Sequence, residues 1–357
     1  MPTIQDAKER LDDIINKGRV DLYKPIQIAE VLRRSRLQGD IDVGNRDTFQ
    51  NPSLHWRNDV TRLLLGKIST SSANYQHDIW NQKAMPPELL KVLDSENKRT
   101  NGGVERYIYL RFNERQETVS GIIDFIERAS PKNFQLRALL ESFVAQKGIK
   151  RSVDKAYEIV AYSLFETIVV ALGTTIKVSI PSKSKELLTE FSDVARVLLG
   201  IEAGKDSWET HAHVYRVGVT NAADRGLDMW ANFGPAIQVK HMTLDKKLAQ
   251  SIIDQVESDH IIIICRDADA EIIEIVAKQI SWGRRVRGIV RESELIEWYE
   301  RCLRGKFSKQ LAKQLLECLA NGFKAEFPQA SAVIDFLRER EYLSLHADEF
   351  WMTNIDY

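Results

Sequence analysis

Residues 224–241 read DRGLDMWANFGPAIQVKH, with two aspartates around a glycine and a Gln-Val-Lys triplet ending an apolar run. Because alternate residues of a β-strand share a face, Gln238 and Lys240 point the same way while Val239 points into the core. The Gly-Pro pair at 234–235 is typical of a turn, which predicts a hairpin with Asp228 across from Gln238 and Lys240. The stretch therefore predicts that a carboxylate, a carboxamide and an ammonium group converge at one point of a sheet.

These three groups suit the hydrolysis of a phosphodiester. A carboxylate binds a hard cation such as Mg²⁺, the cation polarises the phosphoryl group and lowers the pKa of a bound water, and a lysine offsets the charge that develops on the phosphate. Gln238 is a weaker ligand than glutamate would be, so the site needs another acid. Glu166, in the apolar helix SLFETIVVALG, is the first candidate, Glu158 the second and Glu209 the third.

Simpler structural explanations exist for each residue. Asp224 forms a turn with the glycine that follows it, and we leave it out of the predicted site. Asp228 could end a hairpin, and Lys240 could extend from a sheet edge into solvent. His211 and His213 have the spacing of a metal pair, but without a third ligand we interpret them as surface residues.

The elements around this stretch alternate between helix and strand, which predicts a mixed sheet flanked by helices. The fold class is α/β, more strictly α+β. The segment DHIIIICRD is short, continuous and β-branched, as in a buried strand. In chain order the sequence predicts a helix over 153–173, a strand over 176–181, a helix over 185–200, strands over 213–219, 227–231 and 235–241, a helix over 244–257, a strand over 259–267, a helix over 268–280, a strand over 285–290 and a helix over 292–304.

The rest of the chain is predicted to be mainly helical. Helical spacing covers 3–17, 25–37 and 116–150, the last with a break near Ser130, whereas VERYIYLRF at 104–112 alternates like a strand. We divide the chain into a helical region, 1–150, for DNA recognition or dimerisation, a catalytic domain, 151–305, and a helical C-terminal extension, 306–357.

Basic and small polar residues in the N-terminal region are candidates for contacts to DNA. Arginine and lysine suit phosphates and guanine edges, and glutamine suits adenine. A solvated helix face explains the basic residues equally well, and helix capping is the simpler role of the serines. The candidates are Lys24, Gln27, Arg33, Arg34, Lys67, Ser69 and Ser71.

Length and composition fit an ordinary globular protein. The 357 residues are 43% hydrophobic and 28% charged, with a formal net charge of −1, so the chain has no global basic signature. The three cysteines form no CxxC pair, which favours a reducing cytoplasm. The N-terminus is no signal peptide, and the longest apolar runs are too short to cross a bilayer, so we expect no membrane association.

The 224–241 stretch resembles the PD-(D/E)xK nuclease superfamily. DRGLD followed by IQVK is similar to the Asp-x-Gly-x-Asp…Gln-x-Lys form of Mrr-like restriction enzymes, and SLFETIV is similar to their helix with Phe-Glu. The resemblance implies a PD-(D/E)xK core in which Asp228 binds metal, Gln238 replaces the usual second acid, Lys240 is the catalytic lysine and Glu166 is the helix acid. The implied metal-binding residues are Asp228, Val239 and Glu166.

The N-terminal half resembles a narrower group, the HaeII-type restriction endonuclease family. The resemblance lies in RVDLYKPIQIAEVL, WRNDV…STSSANYQ and VERYIY, together with IQVKH. It implies a Mg²⁺-dependent type II enzyme that cuts both strands of double-stranded DNA at a short, partly degenerate, GC-rich palindrome. It also implies a cognate DNA methyltransferase in the same cell. A palindrome is most simply read by a homodimer with one subunit per half-site.

Two other functions remain open on the residues. One is an Mrr-like endonuclease that cuts only modified DNA. The other is a non-catalytic DNA-binding or scaffold protein. The neutral Gln238 is consistent with this alternative, whereas the presence of both Asp228 and Lys240 argues against it. A small-molecule enzyme is not supported, because the sequence has no Gly-rich phosphate loop, nucleophile elbow or HExxH motif.

Overall fold

The computed structural model describes residues 2–69, 71–145, 149, 152–202, 204–217, 227–277, 285–327, 332–345 and 348–352. Its N-terminal part is helical: α1 (Ile4–Lys17), α2 (Tyr23–Leu37), α3 (Pro52–Leu65), α4 (Ala73–His77), α5 (Pro87–Arg99), α6 (Gly103–Arg128) and α7 (Leu136–Ala145). The middle contains α8 (Val153–Ala171), β1 (Thr175–Ser179), α9 (Lys185–Glu190), α10 (Ser192–Leu199), β2 (Ser207–His211), β3 (Val214–Arg216), β4 (Met229–Ala231) and β5 (Ala236–Leu244). The remainder contains α11 (Lys246–Gln255), β6 (Ile261–Ala268), α12 (Ala270–Ala277), β7 (Val286–Arg291), α13 (Glu292–Arg304), α14 (Ser308–Glu326), α15 (Val333–Glu339) and α16 (Glu349–Met352).

The central sheet has five strands in the order β3-β4-β5-β6-β7. The first three form an antiparallel meander, and β5, β6 and β7 run parallel. The parallel half requires crossover helices, which α11 and α12 supply. The predicted mixed α/β architecture is therefore confirmed.

The two faces of the sheet pack against different helices because the side chains of β5 alternate. Ile237 and Val239 join a cluster that includes residues of α8, α13 and α14. Ala236 and Ile263 join a second cluster with α11 and α12. We call these the α8 face and the α11 face. Gln238 and Lys240 alternate with Ile237 and Val239, so they belong to the α11 face.

A third cluster forms the core of the N-terminal region, and helix α6 links it to the α8 face. Val104–Phe112 pack in the N-terminal core, whereas Val119–Ile126 pack with α7 and α8. α14 packs with α8, while α15 and Trp351 of α16 pack in the N-terminal core. The hydrophobic cores thus divide the chain differently from the boundaries at 150 and 305, which remain proposals about domains.

The strand predicted over 104–112 is wrong, because these residues begin α6. The polar residues Glu105 and Arg106 of this segment are buried. The Glu105 carboxylate accepts hydrogen bonds from Arg36 Nε at 2.9 Å and from Asn97 Nδ2 at 2.6 Å. Arg106 Nε donates to the main-chain oxygen of Tyr342 at 2.9 Å. The first turns of α6, Val104–Leu110, are buried on all sides, and the paired charges that they carry resemble the alternation of a strand.

Residues 175–211 form a unit that we call the arm. β1 and β2 pair as an antiparallel hairpin outside the main sheet, with α9 and α10 between them. The predicted single helix over 185–200 is two helices separated at Phe191. β2 was not predicted from the sequence.

Most of the other predicted elements are confirmed, with ends that shift by a few residues. The helix over 292–304 is α13, and the predicted break near Ser130 is confirmed because α6 ends at Arg128 and α7 begins at Leu136. Parts of the strand over 213–219 and the helix over 268–280 lie outside the described residues. Among the described residues, no helix is long and apolar enough to span a membrane.

Candidate active site

The β4–β5 hairpin holds Asp228 opposite Gln238. Met229 pairs with Ile237, and just before β4 the Asp228 amide donates to the Ile237 carbonyl at 3.3 Å. On its other side, the Asp228 carbonyl accepts from the amide of Val217 at 2.9 Å. The main chain of Asp228 is therefore fixed by both neighbouring strands.

The Asp228 carboxylate lies just before β4, which begins at Met229. Its Oδ2 accepts from the Val239 main-chain amide at 2.8 Å and from Gln238 Nε2 at 2.5 Å. β4 begins only at Met229, so no residue of β4 pairs with Val239. The Asp228 carboxylate accepts the hydrogen bond from the Val239 amide that a strand carbonyl would otherwise accept. Within the described part of the chain, Asp228 Oδ1 makes no hydrogen bond. Burial raises the pKa of Asp228, while the Val239 amide and the Lys240 charge act in the opposite direction.

Gln238 is 2% exposed, and its Oε1 atom is buried without a hydrogen-bond partner among the described residues. A buried amide oxygen without a partner is costly and needs an explanation. Beside a carboxylate, a cation would satisfy both oxygens. Asp228 Oδ1, Gln238 Oε1 and the main-chain carbonyl of Val239 could supply oxygen ligands of the kind that Mg²⁺ prefers. These residues therefore fit a hard divalent cation.

Lys240 brings the positive charge to this point. It lies two residues after Gln238 on the same face of β5, and it is half-buried. Its charge lowers the pKa of Asp228, and its ammonium makes no hydrogen bond or ion pair with any residue that the structure describes. The amine is therefore available to a substrate. The structure brings Asp228, Gln238 and Lys240 together as the sequence suggested.

The first half of α8 contributes a second charged cluster near Asp228. Glu158 bonds to Lys155 Nζ at 2.6 Å and to Arg216 Nε at 3.0 Å. Burial raises the pKa of Glu158, and the charge of Asp228 raises it further. Lys155 in turn lowers the pKa of Asp228. The Asp228 carboxylate is thus influenced by charges from α8 as well as by Lys240 on β5.

Glu166 lies elsewhere. It follows Glu158 by two helical turns, about 12 Å along α8. Its carboxylate accepts from the Val214 amide at 2.7 Å and contacts His213 Nδ1 at 2.8 Å. Val214 pairs with Ala231, at the end of the β3–β4 pair away from Asp228. The structure does not bring Glu166 to Asp228. Glu209, the third candidate, is exposed on the arm opposite Lys177.

Among the described residues, no group of three or more His, Cys, Asp or Glu side chains is arranged to hold a metal ion. Of the oxygen donors at Asp228, only the Asp228 carboxylate belongs to these four residue types, because the others are an amide oxygen and a main-chain carbonyl. A DNA phosphate would add negative oxygens at the same place.

Three of the proposed DNA contacts are engaged within the protein. Gln27 is fully buried and donates from Nε2 to Ser53 Oγ at 2.9 Å. Lys67 forms an ion pair with Asp21 at 3.4 Å. Arg34 donates from Nε to both carboxylate oxygens of Asp40, at 2.9 and 3.0 Å. Base reading by Gln27 would require this buried contact to break.

The other four candidates differ in how far they are engaged within the protein. Lys24 is 3.4 Å from Asp78. Arg33 is half-buried and has no ion pair among the described residues. Ser69 Oγ accepts from the Ser71 amide at 3.4 Å, so the two serines stabilise their own turn. Arg33 therefore remains the candidate with the least engaged charge.

Several residues at the site were not identified from the sequence. Lys155 and Arg216 lie on different elements, and only the fold brings them to Glu158. Tyr215 and Trp230 stack at 4.7 Å between ring centroids, and each is about two-fifths exposed. Trp230 follows Asp228 by two residues, so the period of two places this aromatic pair on the α11 face. That spacing was a usable sequence signal.

Comparison with known proteins identifies the family. The family model described as HaeII restriction endonuclease matches residues 7–342. The chain is 44% identical to the type II restriction enzyme HaeII of Haemophilus aegyptius, over 96% of this chain and 98% of that protein. It is 43% identical to the type II restriction enzyme NgoBI of Neisseria gonorrhoeae, over 95% and 97%. No solved structure gives a significant match. The resemblance found in the sequence is confirmed, and the chain belongs to the HaeII restriction endonuclease family.

Proposed function

We propose that this chain is a Mg²⁺-dependent type II restriction endonuclease that hydrolyses both strands of DNA at a short GC-rich palindrome. Family membership supports a site-specific endonuclease. The observation that supports the metal-dependent mechanism is the convergence, just before β4, of Asp228 with Gln238 Oε1 and the Lys240 amine, neither of which has a partner among the described residues. The proposal includes a cytoplasmic homodimer and a cognate methyltransferase that protects the host DNA.

Asp228, Gln238 and the main-chain carbonyl of Val239 would hold the cation. When bound, Mg²⁺ polarises the phosphoryl group and lowers the pKa of a bound water. Lys240 presents its ammonium to the scissile phosphate and stabilises the negative charge that develops there. The Val239 amide keeps the Asp228 carboxylate oriented before substrate binds, which reduces the reorganisation required during reaction.

Metal removal and end sequencing test this proposal directly. We expect the purified protein to cut unmethylated plasmid DNA at one short repeated sequence in the presence of Mg²⁺. EDTA should stop cleavage, and excess Mg²⁺ should restore it. Sequencing the cut ends gives the site and the offset. Cleavage in EDTA would contradict the metal mechanism, and cleavage of modified DNA alone would favour the Mrr-like alternative.

We further propose that Glu158, and not Glu166, is the helix carboxylate of the site. Glu158 bonds to Arg216, which pairs with Met229 beside Asp228, and the charge of Asp228 raises the pKa of Glu158, whereas Glu166 bonds to β3 at the other end of the β3–β4 pair. The superfamily resemblance had implied Glu166. The sequence motif alone could not distinguish two acids that lie eight residues apart on one helix.

The two acids can be compared with isosteric variants. We expect Glu158→Gln to lower the cleavage rate by about 10²-fold and to raise the Mg²⁺ concentration needed for half-maximal activity. Glu166→Gln should stay within about tenfold of the wild type, with an unchanged Mg²⁺ requirement, and Glu209→Gln should resemble the wild type. A larger effect of Glu166→Gln on the Mg²⁺ requirement would restore Glu166 to the site.

Stability must be measured alongside activity, because Glu158 is buried between two cations. Removing its charge leaves Lys155 without its ion pair, whereas Arg216 keeps its ion pair with Glu326 at 2.7 Å, and we expect a loss of stability. The thermal midpoint of each variant fixes an assay temperature at which it is folded. The shift in Mg²⁺ requirement then reports on the metal site, because a merely destabilised enzyme loses activity at all Mg²⁺ concentrations alike.

A further inference from the structure

An open apolar groove lies on the α8 face, between the second half of α8, the β4–β5 turn and the connection from α13 to α14. Its volume is about 620 Å³. The lining is almost entirely apolar and includes Phe165, Ile168, Ile262, Trp298, Phe307 and Leu311. Phe307 is 60% exposed at its rim. An exposed apolar surface of this kind marks an interaction site.

The arm carries an apolar stripe that faces solvent. Val194 and Leu198 of α10 are four residues apart, the spacing of a helix face that packs on a partner, and Leu187 of α9 and Phe191 at the junction of the two helices extend this exposed apolar surface. Val197 lies beside this stripe and is 83% exposed, and Leu198 is 76% exposed. The strands and helices of the arm make their main contacts with one another. The stripe is therefore not covered by the described residues of its own chain.

We propose that α10 of one protomer docks into the apolar groove of a second copy, and that the exchange is reciprocal. Each chain carries one stripe and one groove, so a twofold arrangement covers both in each protomer and closes without further growth. The proposed contact does not depend on the metal chemistry. It rests on the proposed function only because a palindrome is most simply read by two protomers.

Two acids at the edge of the stripe are complementary to a lysine at the rim of the groove, although α10 also carries the exposed Arg196. Glu190 and Asp193 flank the stripe, and Lys306 lies at the rim of the groove. All three are exposed, and none has an ion pair among the residues that the structure describes. Docking would bring the acids of one protomer to the lysine of the other. Such rim pairs favour correct orientation more than they add affinity.

The chain path also suits an exchanged arm. α8 lines the groove as far as Val169, and the arm begins only a few residues later, after Gly173 with a φ of +60°. The arm therefore leaves from the rim of its own groove, which is the arrangement that domain exchange requires. The groove lies along the second half of α8, whereas Glu158 is on the first half of that helix and Gln238 and Lys240 belong to the α11 face. Docking therefore leaves the candidate active site open to DNA.

Sedimentation equilibrium without DNA or Mg²⁺ tests the contact separately from nuclease activity. At about 10 µM we expect the wild type to have twice the 40.9 kDa mass of the chain. Val197→Asp on the arm and Phe307→Asp in the groove should each weaken the dimer by at least about 30-fold. Both positions are exposed, and circular dichroism should report unchanged folding. Leu63→Asp, at a 59% exposed leucine of α3, is the matched control and should remain dimeric.

Mixing the two variants distinguishes arm exchange from other dimers. The Val197→Asp protomer keeps an intact groove, and the Phe307→Asp protomer keeps an intact arm, so an equimolar mixture should form a heterodimer with one intact contact. Neither variant alone has any intact contact. A monomeric wild type, a Val197→Asp or Phe307→Asp variant that dimerises normally, or a mixture that stays monomeric would each overturn the proposal.

Discussion

Replacing Asp228 with asparagine is expected to abolish DNA cleavage, with a loss of at least about 10³-fold in rate, or about 4 kcal/mol of transition-state stabilisation. The asparagine side chain is isosteric, so its oxygen can still accept the hydrogen bond from the Val239 amide. The variant loses the negative charge that would hold the cation beside Gln238. Single-turnover cleavage of a fluorescent duplex measures the loss.

Binding should survive this substitution. Fluorescence anisotropy with the same duplex should give a dissociation constant within about threefold of the wild type, because Asp228 supplies no positive charge to phosphates. Asp254→Asn is the control, since Asp254 is an exposed aspartate on α11. Cleavage by Asp228→Asn at a rate near that of the wild type would remove this carboxylate from the mechanism.

Replacing Lys240 with methionine is expected to reduce the cleavage rate by about 10²–10³-fold, a loss typical of removing one stabilising donor. Methionine retains the apolar stem of the side chain and removes only the ammonium. The half-buried position of Lys240 and its influence on Asp228 place the amine where the scissile phosphate is proposed to bind. The measured quantity is kcat under saturating DNA.

The kinetic pattern separates a catalytic role from a general electrostatic one. We expect KM for DNA to change little, because a group that acts in the transition state lowers kcat more than it alters ground-state binding. Lys247→Met, at an exposed lysine of α11, removes the same charge from a nearby surface. If both variants changed only KM and its salt dependence, Lys240 would be a phosphate contact and not a catalytic group.

The centre of the sheet was predictable because β5 and β6 are buried on both faces over much of their length. β6 reads as a run of isoleucines that only a buried strand or helix would tolerate, and its short length favoured the strand. The hairpin that positions Asp228 was equally visible, since a Gly-Pro turn separates two short apolar segments. Local pattern and tertiary environment agree in this region, so the sequence sufficed.

The helix acid could not be chosen in the same way. Glu158 and Glu166 lie on one helix at positions two turns apart, and both follow an aromatic residue. Which of them approaches Asp228 depends on the register between α8 and the sheet. That register is set by long-range packing, such as the bonds from Glu158 to Arg216 and from Glu166 to Val214. No local sequence pattern predicts the register between α8 and the sheet.

Buried polar residues caused the other errors. Gln27 resembles a base-reading residue on a basic helix, yet it is fully buried and bonded to Ser53 and Arg57. Arg57 is itself 1% exposed and is surrounded by amide oxygens, and burial lowers its pKa to about 10. Predictions from sequence patterns place polar residues at the surface. The polar residues of a buried hydrogen-bond network inside a helical core are therefore predicted to be exposed.

Helix α6 has a consequence for how such enzymes can diversify. It runs without interruption for 26 residues, about 39 Å, and its two halves belong to different cores. In a chimaera that took its N-terminal portion from another enzyme, half of α6 would pack against side chains of a different sequence. α15 and α16 would lose their packing contacts with the N-terminal core at the same time. The two portions are thus poor modules for shuffling, and a new target sequence would have to arise by substitutions within an intact frame.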